Sequence, residues 1–331
     1  MKAIVYTDYG APNVLQLKEM PKPRPGENEI LVKINATTVN YGEITARNFS
    51  NISPGDFNMP RPFWLAARVA FGLRKPKNGI LGSEFSGEIE AVGKDVRRFI
   101  VGDEVFGYRG EQMGAYAEYL ATPANDIVAV KPTNLSYEEA ASLPYGALMA
   151  LNLLRKAALQ QGERILIIGA SGGIGSFAVQ LAKEAFGAEV TGVSSQAKVE
   201  YVQSLGADNV IDYSQDGAMH GGEQYDLILD ILGRRSFTQS QRMLTPSGRH
   251  VFASFKAGAL MQMLRTSVFS SKKAICALAS PTVDDLLKIK GFVETGKLRP
   301  VVDRTFPLEK SDQAHKYYES GQACGKVVIT V

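Results

Sequence analysis

RILIIGASGGIGSFAVQLAKEAFG, residues 164–187, is the stretch on which the fold turns. Its opening run, Ile165 to Ile168, is aliphatic without interruption, as a strand buried on both faces requires. Its second half repeats Ile174, Phe177, Ala178, Leu181, Ala182 and Ala185 at helical spacing, and Gly187 supplies the stop. The glycines between them therefore sit at a strand-to-helix turn. Backbone without Cβ atoms approaches a pyrophosphate closely there, and unpaired N–H groups at the helix start favour its negative charge. A glycine-rich string is weak evidence by itself, but inside a complete βαβ unit it marks a dinucleotide site. Ser171, Gly172, Gly173 and Ile174 are the expected cofactor contacts.

Downstream the chain keeps alternating. EVTGV (189–193), the helix AKVEYVQSLG (197–206), NVIDY (209–213), YDLILDIL (225–232), a polar helix and GRHVFAS (248–254) call for a parallel sheet with helices on both faces. The end of the second strand selects the dinucleotide. An NAD site usually carries Asp or Glu there for the ribose hydroxyls, whereas EVTGV runs into Ser194, Ser195 and Lys198. A carboxylate repels a 2′-phosphate, while hydroxyls and an ammonium hydrogen-bond to it, so NADPH is the expected cofactor. The competing readings are helix capping for the serines and a solvated helix-start lysine for Lys198.

Upstream, AIVYT, EILVKIN, FSGEIEAVG, DEVFGY, AYAEYLA and DIVAV are short β-rich runs divided by Gly, Pro, Asp and Asn, the pattern of a small barrel or sandwich. At SYEE, Ser136 and Glu139 form a capping box that opens an Ala- and Leu-rich helical stretch, which Pro144 interrupts. The tail offers two amphipathic helices, DDLLKIKGFVETG and SDQAHKYYESG, and closes on the strand KVVITV, expected to pack back on the first domain.

A chain of 331 residues suits two domains, and 45% hydrophobic with 21% charged residues is ordinary for a globular protein. The net charge of +3, without long basic runs, implies no nucleic-acid groove. Two cysteines make no disulfide framework, and the start MKAIVY shows no basic leader, which reads as a cytoplasmic protein. No apolar stretch reaches the roughly 18 to 20 residues of a spanning helix.

A catalytic zinc takes three protein ligands and a structural zinc four. Residues 1–219 contain neither Cys nor His, and His220, His250, His315, Cys276 and Cys324 are scattered without metal-binding spacing, so no metal is expected and these five are read as structural or surface residues.

GSEFSGEIEAVG (82–93), VGDEVFGY (101–108) and the terminal GKVVITV, set around the central nucleotide fold, resemble the medium-chain dehydrogenase/reductase superfamily from end to end. Within it the chain is similar to the zinc-independent quinone oxidoreductase and enone reductase branch that includes zeta-crystallin. The resemblance implies a GroES-like β-barrel domain, residues 1–123 completed by 262–331, and a Rossmann-type doubly wound domain at 124–261, with the active site in the cleft and a homodimer as the usual assembly. Zinc-dependent members place Cys where this chain has Asn40 and His where it has Ser83, and draw another Cys from near Leu143 and Pro144. Asn40 and Tyr41, in the turn after ILVKIN, resemble the polar pair lining the cleft: Asn40 to hydrogen-bond substrate or nicotinamide ribose, Tyr41 to donate to an enolate oxygen. By the same resemblance Tyr213 flanks the 2′-phosphate, Leu232 and Gly233 pass the nicotinamide ribose, and Phe252 and Ser254 lie near the ring. Met149 stands where the family often has Thr.

Without a Lewis acid an isolated ketone is hard to reduce, because the developing alkoxide has only hydrogen bonds for stabilisation. A conjugated acceptor spreads the charge, so an NADPH-dependent reductase of quinones or α,β-unsaturated carbonyls is the expected function. Its alternatives are an alcohol dehydrogenase or enoyl reductase of the same superfamily and a low-turnover NADPH-binding structural or regulatory protein. FNMPRPFWLAARVAFGLRKPKNG (57–79) and ALMQMLRTSVFSSKKAICALA (259–279) mix large apolar with basic side chains. A structural lid or dimer contact is the first reading for both, lipophilic-substrate recognition the second and an anionic membrane surface the third.

Overall fold

In the computed structural model, which describes residues 1–77, 79–215 and 222–331, the β-rich runs of the first third pair almost entirely antiparallel. β1 (Lys2–Val5) and β2 (Gln16–Glu19) make a ribbon beside the main sheet, and β3 (Glu29–Val39) is its longest strand. Helices α1 (Tyr41–Arg47) and α2 (Arg61–Phe71) follow, then β4 (Glu84–Val92), β5 (Glu104–Tyr108), β6 (Tyr119–Pro123) and β7 (Ile127–Val130).

The capping box at Ser136 forms: its Oγ accepts from Glu139 N at 3.2 Å while Ser136 N donates to the Glu139 carboxylate at 2.9 Å. It opens α3 (Tyr137–Ala141), and Pro144, which cannot donate to a continuing helix, restarts the chain as the first residue of α4 (Pro144–Lys156). Then come β8 (Arg164–Ile168), α5 (Gly175–Glu184), β9 (Glu189–Ser194), α6 (Val199–Ser204), β10 (Asn209–Asp212), β11 (Tyr225–Asp230), α7 (Phe237–Ser240), β12 (Leu244–Phe252), α8 (Ala257–Phe269) and β13 (Lys273–Cys276). These six strands form one all-parallel sheet in the order β10-β9-β8-β11-β12-β13, the doubly wound arrangement. α9 (Val283–Glu294), β14 (Val302–Pro307), α10 (Ser311–Glu319) and β15 (Lys326–Thr330) complete the chain.

β15 returns to the first domain as the sequence suggests, pairing antiparallel with Ala36 to Val39 of β3 and giving the order β14-β15-β3-β4-β5-β7, with β6 also on β3. Strand pairing shifts both expected boundaries. β7 pairs with β5, so the antiparallel sheet runs past residue 123, and β13 pairs with β12, so the parallel sheet runs past 261. KAIC is too short and too flanked by lysine to be read as a strand from sequence; a neighbouring edge with unpaired backbone groups makes it one. α8 goes with it, burying Ala259, Leu260 and Met263 against the same cluster as Phe252 and Ala274.

Two histidines sit inside these cores; His220 lies outside the described residues. His250 lies between Phe237 and Phe252, ring centroids 6.4 and 3.9 Å away, and neither of its nitrogens has a hydrogen-bond partner among the described residues. His315 Nε2 lies 3.0 Å from the Tyr116 hydroxyl. Burial pushes both down to about 3, so they stay neutral in the fold while the unfolded chain takes up protons below about 6.5. Since the unfolded state then binds more protons, stability is expected to fall as pH drops from about 6.5 towards 3. Thermal melts across that window should show a shallower decline for His250→Phe than for the wild type; an unchanged slope would remove this histidine from the acid response.

Candidate active site

At the carboxyl edge of the parallel sheet, β9 and β11 lie on opposite sides of β8, so crossovers leave in opposite directions and open a crevice above the glycine-rich turn. Gly169, at φ 89°, starts that turn, and Gly172 N closes it on Gly169 O at 3.1 Å. Backbone crowds it from beneath. A Cβ on Gly175 would stand 2.0 Å from Gly169 O, and one on Gly146 of α4 would stand 2.2 Å from Gly173 O. Gly172 is exposed, and the nearest atom to a Cβ there is 3.5 Å away. A turn packed below and open above, at the start of a helix, fits a dinucleotide pyrophosphate, with Ser171, Gly172, Gly173 and Ile174 as its rim.

The neighbouring strand ends carry the remaining expected contacts. Ser194 is buried, its Oγ donating to Ser195 O at 3.2 Å, and Tyr213, whose N donates to Ser194 O, presents an exposed side chain. Lys198 is not simply solvated: its Nζ donates to Gly321 O at 2.9 Å and Ala323 O at 2.7 Å, latching the chain before β15. Leu232 is exposed and Gly233, at φ 64°, packs against Ser254 O. Their loop hangs on Asp230, whose buried carboxylate accepts from Leu232 N (3.1 Å), Gly233 N (2.9 Å) and Arg235 N (3.0 Å); burial pushes this carboxyl up from the usual range. Ser254 Oγ is turned to Ile231 O at 3.1 Å. Phe252 needs correction: its ring is buried with Phe237, Met243 and Phe255 in the core and does not line the crevice.

A second correction concerns Asn40 and Tyr41. β3 extends to Val39, so Asn40 is the N-cap of α1 and Tyr41 its first residue. Asn40 is buried, and its amide is committed on both ends. Nδ2 faces Thr38 Oγ1 (3.1 Å), Glu84 Oε1 (3.0 Å) and Ser83 Oγ (3.5 Å), while Oδ1 accepts from Lys326 Nζ. Lys326 also bonds Glu84 Oε1, and Glu84 accepts from Thr38 Oγ1 and, at 2.6 Å, from Tyr145 N. This pair is fully enclosed, Lys326 being 1% and Glu84 0% exposed. The lysine stem passes the glycine-rich turn, Cδ lying 3.3 Å from where a Gly173 Cβ would be, and Gly325 N donates to Ser171 O at 3.3 Å. One ion pair thus ties the barrel, the turn and the chain end together. Tyr41, 45% exposed, accepts from Asn58 Nδ2 at 2.9 Å and keeps its own proton to donate.

Beneath lies Glu43. Its carboxylate accepts from Ser83 N at 2.7 Å and Asn40 N at 3.1 Å, holding both positions; burial pushes it up, against the pull of those donors. A zinc ion does not fit this donor set. Asn40 and Ser83 offer an amide and a hydroxyl, the Glu84 carboxylate is spent on an ammonium, and among the described residues no three His, Cys, Asp or Glu side chains cluster.

The antiparallel sheet, the doubly wound parallel sheet and the glycine cradle at its switch point define an oxidoreductase that uses a nicotinamide cofactor. Residues 26–132 match the alcohol dehydrogenase GroES-like domain, and residues 205–329 match the model described as zinc-binding dehydrogenase. The 2-methylene-furan-3-one reductase of Solanum lycopersicum is 33% identical over 99% of this chain and 79% of its own length. The NADPH-dependent alkenal/one oxidoreductase of Arabidopsis thaliana is 30% identical over 99% and 79%. The solved quinone oxidoreductase of Coxiella burnetii superposes with a TM-score of 0.85 at 30% identity, covering 100% of this chain and 99% of that one. The chain belongs to the medium-chain dehydrogenase/reductase superfamily.

Proposed function

We propose that the protein is an NADPH-dependent reductase of quinones and α,β-unsaturated carbonyls that works without a metal. The observation carrying this reading is the site where zinc-dependent relatives hold their metal: Asn40 and Glu84 close on the Lys326 ammonium, and Ser83 faces the Asn40 amide. A set closed on itself in this way supplies no Lewis acid, so a substrate oxygen is left with hydrogen bonds from exposed groups, and these suffice where conjugation delocalises the charge. The names of the relatives point the same way. A bound reduced nicotinamide supplies the hydride. The chain itself leaves the Tyr41 hydroxyl exposed next to Asn40, able to donate a proton to the oxygen of an enone as it becomes an enolate, with water completing the reduction. Turnover of NADPH with 1,2-naphthoquinone and with short and long enones, and little with simple ketones, is the expected profile. Strong oxidation of simple alcohols dependent on added zinc would refute the reading, and tight nucleotide binding with no turnover across the panel would favour a binding protein.

Preference for NADPH rests on Ser194, Ser195 and Lys198 and on the lack of a carboxylate directly after β9. Lys198→Ala is expected to raise the Kd for NADPH by about tenfold or more, the worth of a charge-assisted bond, and to change NADH binding far less. Equal loss for the two nucleotides, measured by fluorescence titration, would leave Lys198 only its bonds to Gly321 and Ala323.

A further inference from the structure

The small net charge conceals an uneven distribution. Residues 57–83 contain five basic residues and no acid, and residues 231–283 contain eight and no acid; with a total of +3, the rest of the chain carries minus ten. Each of these two segments holds a helix that packs some of its apolar side chains inward and leaves others outside. α8 buries Thr266 and half-buries Ala259, Leu260 and Met263, while Met261, Leu264 and Val268 form an exposed stripe at i, i+3 and i+7, flanked by Arg265 and Phe269. Val268 is 71% and Phe269 82% exposed. α2 turns Trp64 and Phe71 towards Phe49 and leaves Leu65, Ala66 and Val69 outside, with Arg61 at its start and Leu73, Arg74, Lys75 and Lys77 exposed beyond its end. Among the described residues only Lys75 of those five basic side chains forms an ion pair, with Asp8 at 3.7 Å.

Both helices lead away from one seam: Phe255 N donates to Asn58 O at 3.0 Å, and Lys256 reaches Gly55 O. The same Asn58 donates to the Tyr41 hydroxyl, so the seam adjoins Tyr41.

We propose that α2 and α8 form a docking surface for an anionic lipid bilayer, lying in its interface with the seam between them turned towards the lipid. Exposed apolar stripes rimmed by Lys and Arg, without acids, are what the interfacial plane of an anionic membrane binds, apolar area and electrostatic attraction adding together. A second copy of the chain is the weaker occupant. A two-fold contact through α8 would bring together two faces drawn from a segment that holds eight basic residues and no acid to offset them. No helix among the described residues is long and apolar enough to cross the bilayer, so the contact is peripheral. This inference does not depend on which acceptor the enzyme reduces.

The test is co-sedimentation with vesicles of phosphatidylcholine alone and of phosphatidylcholine with phosphatidylglycerol, at low and high salt. The wild type is expected to pellet with the anionic vesicles only, and to be released by salt. Val268→Glu/Phe269→Glu and, separately, Arg61→Glu/Arg265→Glu should each weaken partitioning about tenfold or more. All these side chains are exposed, so melting temperature and NADPH binding in solution should stay at wild-type values. Protein left in the supernatant at low salt, or equal binding to both vesicle types, would overturn the proposal. So would a wild-type dimer, seen by light scattering, that Val268→Glu/Phe269→Glu splits into monomers, because the second copy would then be what covers the face.

Discussion

Lys326→Met is expected to destabilise the protein by about 3–5 kcal/mol, because it strands the Glu84 carboxylate in a place water does not reach. The same change leaves Asn40 Oδ1 without its donor, while methionine keeps a stem of the same length beside Gly173, so the loss should fall on stability more than on nucleotide affinity. A buried ion pair is not a source of net stability by comparison with apolar packing; its cost is felt when one partner is taken away. Lys326→Met/Glu84→Gln should therefore recover much of the lost stability, since no unpaired charge remains. Chemical denaturation of the two single variants and the double variant measures this coupling directly. A Lys326→Met protein within about 1 kcal/mol of the wild type would mean that the pair does not hold the barrel to the glycine-rich turn, as that falls below the usual price of an orphaned buried charge.

Gly175→Ala is the second large effect. The new Cβ would meet a backbone oxygen at 2.0 Å, and a carbonyl fixed in a turn has no rotamer with which to move aside. Overpacking of this kind costs about 1–3 kcal/mol, and here the relief must come from the phosphate cradle itself. Apo melting should drop, and NADPH affinity should fall about tenfold or more as the turn N–H groups leave their positions. Gly172→Ala is the control, since a Cβ there has its nearest neighbour at 3.5 Å and should leave apo stability close to wild type. Equal melting of the two variants would contradict the crowding beneath the turn.

The nucleotide domain was legible because its signals are local. Alternating strand and helix runs, the glycine turn after Ile168 and the stop at Gly187 each depend on neighbours a few residues away, and the capping box at Ser136 is complete within four residues. Edges were less legible. β2, with every residue exposed, and the four-residue β13 have too little pattern, and their strand character comes from partners elsewhere in the sheet. α1 was missed because the run ILVKIN continues as strand to Val39 and the helix after it, YGEITAR, spans only seven residues.

Among the candidate site positions, Gly172 and Gly173 could be put in a strand-to-helix turn and Ser194 and Ser195 at the end of β9 from the chain alone, whereas Asn40 could be named but not given its partners. Nothing near Lys326 distinguishes it from any lysine at the head of an apolar strand. Phe252 failed differently: it does end a strand at the right edge of the sheet, yet side chains alternate between faces, and its ring goes to the core.

The sequence by itself determined the two-domain organisation, the glycine-rich strand-to-helix turn and the lack of Cys and His in residues 1–219, because propensity, periodicity and residue type are written in short windows. Only the tertiary structure decided that Asn40 and Glu84 close on a lysine 286 and 242 positions away, and that Met261, Leu264 and Val268 of α8 face outward. A buried charge must find its counter-charge wherever the chain path brings one, and a helix stripe is covered or bare according to what packs beside it. Neither is a property of the residues nearby in sequence.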